Sequence, residues 1–129
     1  MSAIAPTSAR VALGQVALTV ADVGRGTTFY RDAVGLPFLF AAGTNLAFLD
    51  LGGVRLMLST PEGDFTPGGS TVLYIKVPDI DAAFAQMKGR GVAFVDEPHL
   101  IAKMPDHELW MTFFRDPDGH TLALMTERR

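Results

Sequence analysis

The sequence predicts an α+β protein made of two βαβββ modules, and three observations support this prediction. Residues 15–23 and 72–80 resemble each other, and both alternate apolar with other residues at a period of two, as half-buried strands do. An amphipathic helical pattern follows each of these strands. Residues 48–59 likewise resemble residues 114–125, and both contain a turn rich in Gly and Asp between strand-like runs. Two such copies together can enclose a cleft.

The first module begins with a strand whose apolar side carries Val16, Leu18 and Val20. The helix that follows is weakened by Gly24 and Gly26, which have low helix propensity. Its apolar stripe consists of Val23, Thr27, Tyr30 and Val34, and Gly35 ends it.

The second module repeats this order with a clearer helix. Its first strand carries Leu73, Ile75 and Val77 on the apolar side. Asp79 is a good N-cap because its carboxylate can accept the free N–H groups of the first helical turn. The apolar stripe then consists of Ile80, Ala83, Phe84 and Met87. The spacing between matching residues grows from 57 to 66, so we expect extra length near residues 95–112.

The length of the chain and the position of its segment rich in Pro and Gly suggest one domain. The chain has 129 residues, of which 48% are hydrophobic, which suffices for a core. Residues 1–10 read as a flexible tail, and residues 11–129 as a single domain. Within that domain we expect module one at 11–59, a linker rich in Pro and Gly at 60–70, and module two at 71–129.

Composition also excludes several classes of function. The chain has no cysteine, which rules out thiol catalysis and Cys-ligated metals. The net charge is -3 and the basic residues are scattered, so we expect no nucleic-acid partner. No apolar run is long enough to span a membrane, and the first residues do not resemble a signal peptide. We therefore predict a cytoplasmic protein.

The segments VADVGRGTTFYRDAVGLPF and FFRDPDGHTLALM resemble the vicinal oxygen chelate superfamily, which includes glyoxalases, bleomycin resistance proteins and extradiol dioxygenases. The resemblance covers nearly all of the chain after about residue 11. It implies that the two curled sheets form a cupped cavity and that the protein is a homodimer, in some members with swapped modules. Both motifs belong to the scaffold, so they do not specify an activity.

The same resemblance implies four positions for a divalent metal site. They are occupied here by Gln15, Met57, Val72 and Ala123. Val and Ala have no donor atom, and a thioether is too soft for Mg²⁺ or Mn²⁺ and weak for Zn²⁺. We therefore predict that the protein uses no metal and no other cofactor.

The period of two places one side of each strand under the helices and the other side in the cup. The residues expected to line the cup are Gln15, Ala17, Thr19, Arg55, Met57, Ser59, Tyr74, Lys76, Thr121, Ala123 and Met125. This lining has two cations and no carboxylate, which favours an uncharged or anionic organic ligand. The alternative is that Arg55 and Lys76 extend to solvent at the strand ends.

Four further candidate residues lie in the extra length of module two, near residues 95–112, and in the last turn. His99 lies near Glu97 and is the candidate general acid or base, although a backbone-bonded strand-edge residue is the alternative. His107 is expected at a hairpin tip that could fold over the cup, and Trp110 could stack on a flat ligand. His120 reads as a surface turn residue. A metal cluster of His99, His107 and the acidic residues between 97 and 108 matches no known spacing.

Four functions remain open on the sequence. The first is a metal-free binder of a small organic molecule, with Gln15, Arg55, Met57, Tyr74, Lys76, His99, His107 and Trp110 as ligand-binding residues. The second is a metal-independent lyase or isomerase that uses His99. The others are a metal-dependent glyoxalase-type enzyme with an atypical site, and a regulatory subunit with an unused cup.

Overall fold

The computed structural model describes residues 11–61, 63 and 68–129, so the expected tail at 1–10 and much of the expected linker lie outside the described residues. The first half of the chain forms a four-stranded sheet. Its strands are β1 (Gln15–Thr19), β2 (Phe38–Ala42), β3 (Leu46–Asp50) and β4 (Arg55–Ser59). They lie in the order β1-β4-β3-β2, with β1 parallel to β4 and the other pairs antiparallel.

The second half forms a five-stranded sheet. Its strands are β5 (Val72–Lys76), β6 (Ala93–Phe94), β7 (His99–Lys103), β8 (Glu108–Arg115) and β9 (Thr121–Arg128). The order is β5-β9-β8-β6, and β7 also pairs with β8. The extra length expected near residues 95–112 is used mainly by the β7–β8 hairpin, which closes with a bond from Met104 N to His107 O. The prediction of an α+β fold with two related sheets is confirmed.

One helical stretch crosses over between the first two strands of each sheet. In the first module it comprises α1 (Val23–Thr28) and a π-helical segment (Phe29–Val34), and in the second it is α2 (Ile80–Gly89). Both helices begin with an aspartate cap, since Asp22 accepts from Arg25 N at 2.9 Å and Asp79 from Ala82 N at 3.0 Å. None of the described helices has the length and apolar character needed to cross a membrane.

Gly26 has a packing role that helix propensity alone does not indicate. The residue is buried where α1 lies on the first sheet. A Cβ atom there would come within 3.1 Å of Leu58 Cδ1 and 3.5 Å of Val20 Cγ1. The glycine therefore lets the helix approach the sheet closely, and this packing offsets the loss of propensity.

The described residues form one hydrophobic core on the helix side of both sheets. It takes buried side chains from the two modules, among them Leu18, Val20, Leu56, Leu58, Ile80, Phe114, Leu122 and Leu124. The apolar strand residues predicted to pack under the helices all belong to this core or pack against it. We call the opposite surface of each sheet its ligand-side face.

Candidate functional site

The ligand-side face of the first sheet carries a polar edge and an aromatic centre. Gln15, at the start of β1, donates from Nε2 to the sulfur of Met57 at 3.6 Å. Phe48 lies opposite Met57 in the β3–β4 register and stacks on Phe40, with ring centroids 4.5 Å apart. The guanidinium carbon of Arg55 lies 5.7 Å from the centroid of Phe48. This face therefore combines a planar apolar surface with a cation and a carboxamide.

The ligand-side face of the second sheet has an aromatic pair at its centre. Tyr74 of β5 and Phe113 of β8 both lie opposite Ala123 of β9, one on each side. Their rings meet edge to face, with centroids 6.2 Å apart. Ala123 is completely buried, whereas Tyr74 is 51% exposed. The pair thus covers the middle of the sheet and still presents a ring to solvent.

A second row on this face runs from Lys76 through Met125 and Met111 to His99. Lys76 Nζ lies 3.4 Å from Glu127 Oε2, so the expectation that the lining holds no carboxylate is wrong. His99 Nδ1 is 2.8 Å from the carbonyl oxygen of Glu97, as expected for a strand-edge histidine bonded to backbone. A carbonyl oxygen only accepts, so Nδ1 is the donor in this hydrogen bond and Nε2 takes no part in it.

His107 lies away from this row, in the turn of the β7–β8 hairpin. Its Nδ1 is 2.7 Å from Asp106 Oδ1, and Arg129 contacts the same carboxylate at 3.1 Å. The hydrogen bond with His107 lowers the pKa of the Asp106 carboxyl. His99 and His107 are separated by the length of β7. In the described parts of the chain, no three His, Asp or Glu side chains form a group able to hold a metal ion.

Trp110 also lies apart from the other predicted site residues, on the helix side of β8. Its ring packs against the core, and Nε1 donates to Glu108 Oε1 at 3.1 Å. The guanidinium carbon of Arg128 lies 4.3 Å from the ring centroid. The ring is thus held on the sheet surface opposite Tyr74 and Phe113.

The four positions that the superfamily resemblance assigns to a metal do not fit one here. In the first module Gln15 and Met57 contact each other, which supplies one carboxamide and one thioether. In the second module Val72 has no donor, and Ala123 is a buried methyl group beneath Tyr74 and Phe113. A hard divalent cation needs several oxygen or nitrogen donors, so this set cannot bind it.

The sequence pattern placed Tyr74 on the ligand-side face but missed Phe40 and Phe48 of the first sheet and Phe113 of the second. It matched Phe48 with Phe114 because it aligned the two hairpins without a gap. The turn between β3 and β4 spans residues 51–54, whereas the turn between β8 and β9 spans 116–120, one residue longer. Phe113 is therefore the counterpart of Phe48, and Phe114 lies in the core. A one-residue shift moves a side chain to the other face of a strand.

A buried polar cluster joins the two modules on the helix side. Tyr30 donates its hydroxyl to Asp116 Oδ2 at 2.6 Å, and His120 Nδ1 lies 2.7 Å from the same oxygen. The expectation that His120 is a surface turn residue is wrong, because its side chain is only 11% exposed. Asp118 accepts from Arg25 Nη2 at 2.8 Å. Burial, and then the charge of Asp116, raise the pKa of the Tyr30 hydroxyl.

The fold and these faces define a class of protein: paired βαβββ modules that each expose the sheet face opposite the helices. Within that class, the Glyoxalase/Bleomycin resistance protein/Dioxygenase superfamily matches residues 12–124. The chain therefore belongs to this superfamily. This match confirms the family resemblance that the two motif segments predicted.

Three similar proteins illustrate the match. An uncharacterized protein of Mycolicibacterium smegmatis is 33% identical over 84 residues, which cover 65% of this chain and 71% of that protein. A superfamily member from Sphaerobacter thermophilus has a TM-score of 0.76 at 25% identity, covering 92% of this chain and 98% of that one. Lactoylglutathione lyase from Agrobacterium tumefaciens has a TM-score of 0.70 at 20% identity, covering 94% and 95%, and shows the fold only.

Proposed function

We propose that this protein binds a small organic molecule on its ligand-side faces without a divalent metal. The observation that carries the proposal is the burial of Ala123 beneath Tyr74 and Phe113. At this position the superfamily resemblance implies a metal-ligating glutamate, whereas this chain offers an aromatic surface. Such a surface favours stacking and apolar contact over metal coordination.

The polar groups of the two faces favour an uncharged or anionic ligand. Lys76 is offset by Glu127, whereas Arg55 has no carboxylate within salt-bridge distance among the described residues. Its guanidinium, held over Phe48, could receive a carboxylate or a carbonyl oxygen from the ligand. Gln15 adds a neutral donor and acceptor at the edge of the same face.

The proposal includes a homodimer in which the face of one chain covers that of another. In the single chain one aromatic residue of each face is open to water: Tyr74 is 51% exposed and Phe40 is 44% exposed. Exposed apolar surface of this kind typically marks a binding site or an interface. A second copy would enclose the ligand between aromatic pairs from two sheets.

A metal-independent lyase or isomerase is the second candidate, and the hydrogen bond of His99 favours it. The bond with the Glu97 carbonyl uses Nδ1, so Nε2 can act as the base on the same face as Met111 and Lys76. A neutral imidazole near physiological pH can take a proton from carbon or oxygen. In this reading the aromatic pair binds the substrate and His99 moves the proton.

The first experiment is native mass spectrometry of the purified protein. We expect a dimer without a bound divalent ion, and any additional mass on it would report a co-purified ligand. One divalent ion per chain would contradict the metal-free assignment of Gln15, Met57, Val72 and Ala123.

A binding experiment then tests the aromatic surface. Titration calorimetry with 2-naphthoate should give an affinity that EDTA does not change. Tyr74→Ala should weaken it about tenfold because an aromatic contact is lost, and Tyr74→Phe should stay within about twofold because the ring remains. Equal affinities for all three proteins would refute the site. If a substrate is found, His99→Gln should abolish its turnover and preserve its binding.

A further inference from the structure

A groove of about 710 Å³ lies where the π-helical segment, the end of α2 and the β8–β9 turn meet. It belongs to the helix side of the sheets and shares no residue with the ligand-side faces. Its volume lies within the range of known small-molecule pockets, about 300–1,000 Å³.

The floor and walls of the groove are apolar and held in place. Phe29, Ala33 and Pro117 line it. The Phe29 ring meets Tyr30 edge to face with centroids 5.0 Å apart, and it lies 6.4 Å from Phe114. Both of these partners are fully buried, so the floor is anchored to the core of both modules.

The wide helical turn explains why these residues share a wall. Gly35 N donates to Tyr30 O, five residues earlier, which is the spacing of a π-helix. Thr28, Phe29 and Ala33 therefore face the groove together. Short π-helical segments cost stability and occur frequently at functional sites, which makes this wall a candidate binding surface.

Two arginines, Arg25 and Arg90, line the groove. Arg25 is fixed by its 2.8 Å bond with Asp118, whose side chain is only 2% exposed. Oδ2 of Asp118 is buried and has no hydrogen-bond partner among the described residues. Arg25 is the cation that offsets this carboxylate. Arg90 stands at the end of α2 and has no carboxylate within salt-bridge distance among the described residues.

The carboxylate that also lines the groove does not cancel Arg90. Asp32 lies 2.8 Å from Arg31 Nε, and this hydrogen bond lowers the pKa of Asp32. Arg31 thus offsets Asp32 just as Asp118 offsets Arg25. Among the described residues at the groove, the excess charge is the single positive charge of Arg90, beside an apolar floor.

We propose that this groove binds an organic molecule that carries one negative charge on an apolar body. The anionic group contacts Arg90, with Arg25 and the Thr28 hydroxyl as further donors. The apolar body lies on Phe29, Ala33 and Pro117. A medium-chain carboxylate has the required chemistry, since guanidinium groups bind carboxylates through paired hydrogen bonds.

The test is an NMR titration of the ¹⁵N-labelled full chain with octanoate, with 1-octanol as the uncharged probe of the same length. We expect saturable amide shifts at Arg25, Phe29, Ala33 and Arg90, and about tenfold weaker binding of 1-octanol. Arg90→Gln should weaken octanoate about tenfold. Lys88→Gln removes the same charge from the same helix outside the groove, and it should leave the affinity within about twofold.

Other outcomes of the titration would contradict the proposal. Shifts confined to Tyr74, Phe113 and His99 would mean that octanoate binds the ligand-side face instead. Equal affinities of Arg90→Gln and Lys88→Gln would refute recognition by Arg90, as would linear shifts without saturation. Loss of 2-naphthoate binding in Tyr74→Ala concerns the other face, so the two proposals fail separately.

Discussion

Replacing Tyr30 by Phe tests whether the polar cluster between the modules stabilises the fold. The substitution removes one hydroxyl and keeps the ring that packs in the core. The hydroxyl is buried and donates to Asp116 Oδ2 at 2.6 Å. Tyr30 belongs to the first module and Asp116 to the second, so the bond links the two halves of the chain.

The size of the effect follows from the remaining partners of Asp116. A buried hydrogen bond to a charged acceptor contributes about 1.5–3 kcal/mol. Asp116 keeps its bonds with the His120 ring, His120 N and Asp118 N, so the carboxylate is not left unsatisfied. We therefore expect a loss near the lower end, about 1.5–2 kcal/mol of unfolding free energy at pH 7.

The same contact predicts how the effect changes with pH. Burial and the charge of Asp116 raise the pKa of Tyr30 in the folded state, whereas in the unfolded chain it ionises near pH 10. Tyr30 therefore contributes its full stability below about pH 10, and above that pH the unfolded state gains by losing the proton. The difference between wild type and Tyr30→Phe should shrink by about 1.4 kcal/mol between pH 8 and pH 11.

The assay is urea unfolding at pH 7, 8 and 11, followed by the fluorescence of Trp110. The matched control is Tyr74→Phe at the chain's other tyrosine, which is 51% exposed. It should change stability by less than about 0.5 kcal/mol at each pH. If Tyr30→Phe is as stable as Tyr74→Phe at pH 7, or if its deficit does not shrink at high pH, the reasoning about the cluster is wrong.

Two further predictions concern the helices and use the same urea assay. Gly26→Ala should lower the free energy of unfolding by about 1–3 kcal/mol because its Cβ would press on Leu58. Gly89→Ala should raise it by up to about 1 kcal/mol, because no described atom outside its own helix backbone and its two neighbours lies within 4 Å of the added Cβ. A stabilised Gly26→Ala would show that the helix can move away from the sheet. Asp79→Ala should lower the free energy of unfolding by about 1 kcal/mol because it removes the cap on Ala82 N. Asp79→Asn should retain most of this stability because Asn is also a good N-cap. Equal losses for the two Asp79 variants would mean that charge matters more than the cap.

The local elements were predictable because their signals lie within a few residues of one another. The period of two identified β1 and β5, and it placed Leu18 and Ile75 on the core side. The cap at Asp79 was likewise evident, since an N-cap and the N–H groups it accepts are adjacent in sequence. The same alternation put Gln15, Tyr74 and Lys76 on the opposite face, where the register of the strands places them.

The alignment of the two modules was only partly predictable, because it depended on the length of a turn. Matching the hairpins without a gap paired Phe48 with Phe114, and this hid Phe113 as a ligand-side residue. One additional residue in the β8–β9 turn reverses which side chains face the core. A search for alternation within β8 itself would have separated Phe113 from Phe114.

The sequence by itself determined the class of fold, the repeated modules and the absence of cysteine, because composition and short-range periodicity carry this information. Only the tertiary structure decided which residues meet across the modules. It buried His120 beside Asp116 and Tyr30, turned Trp110 toward the core, and covered Ala123 with Tyr74 and Phe113. These contacts join residues far apart in the chain, so they follow from strand register and packing, which no local pattern encodes.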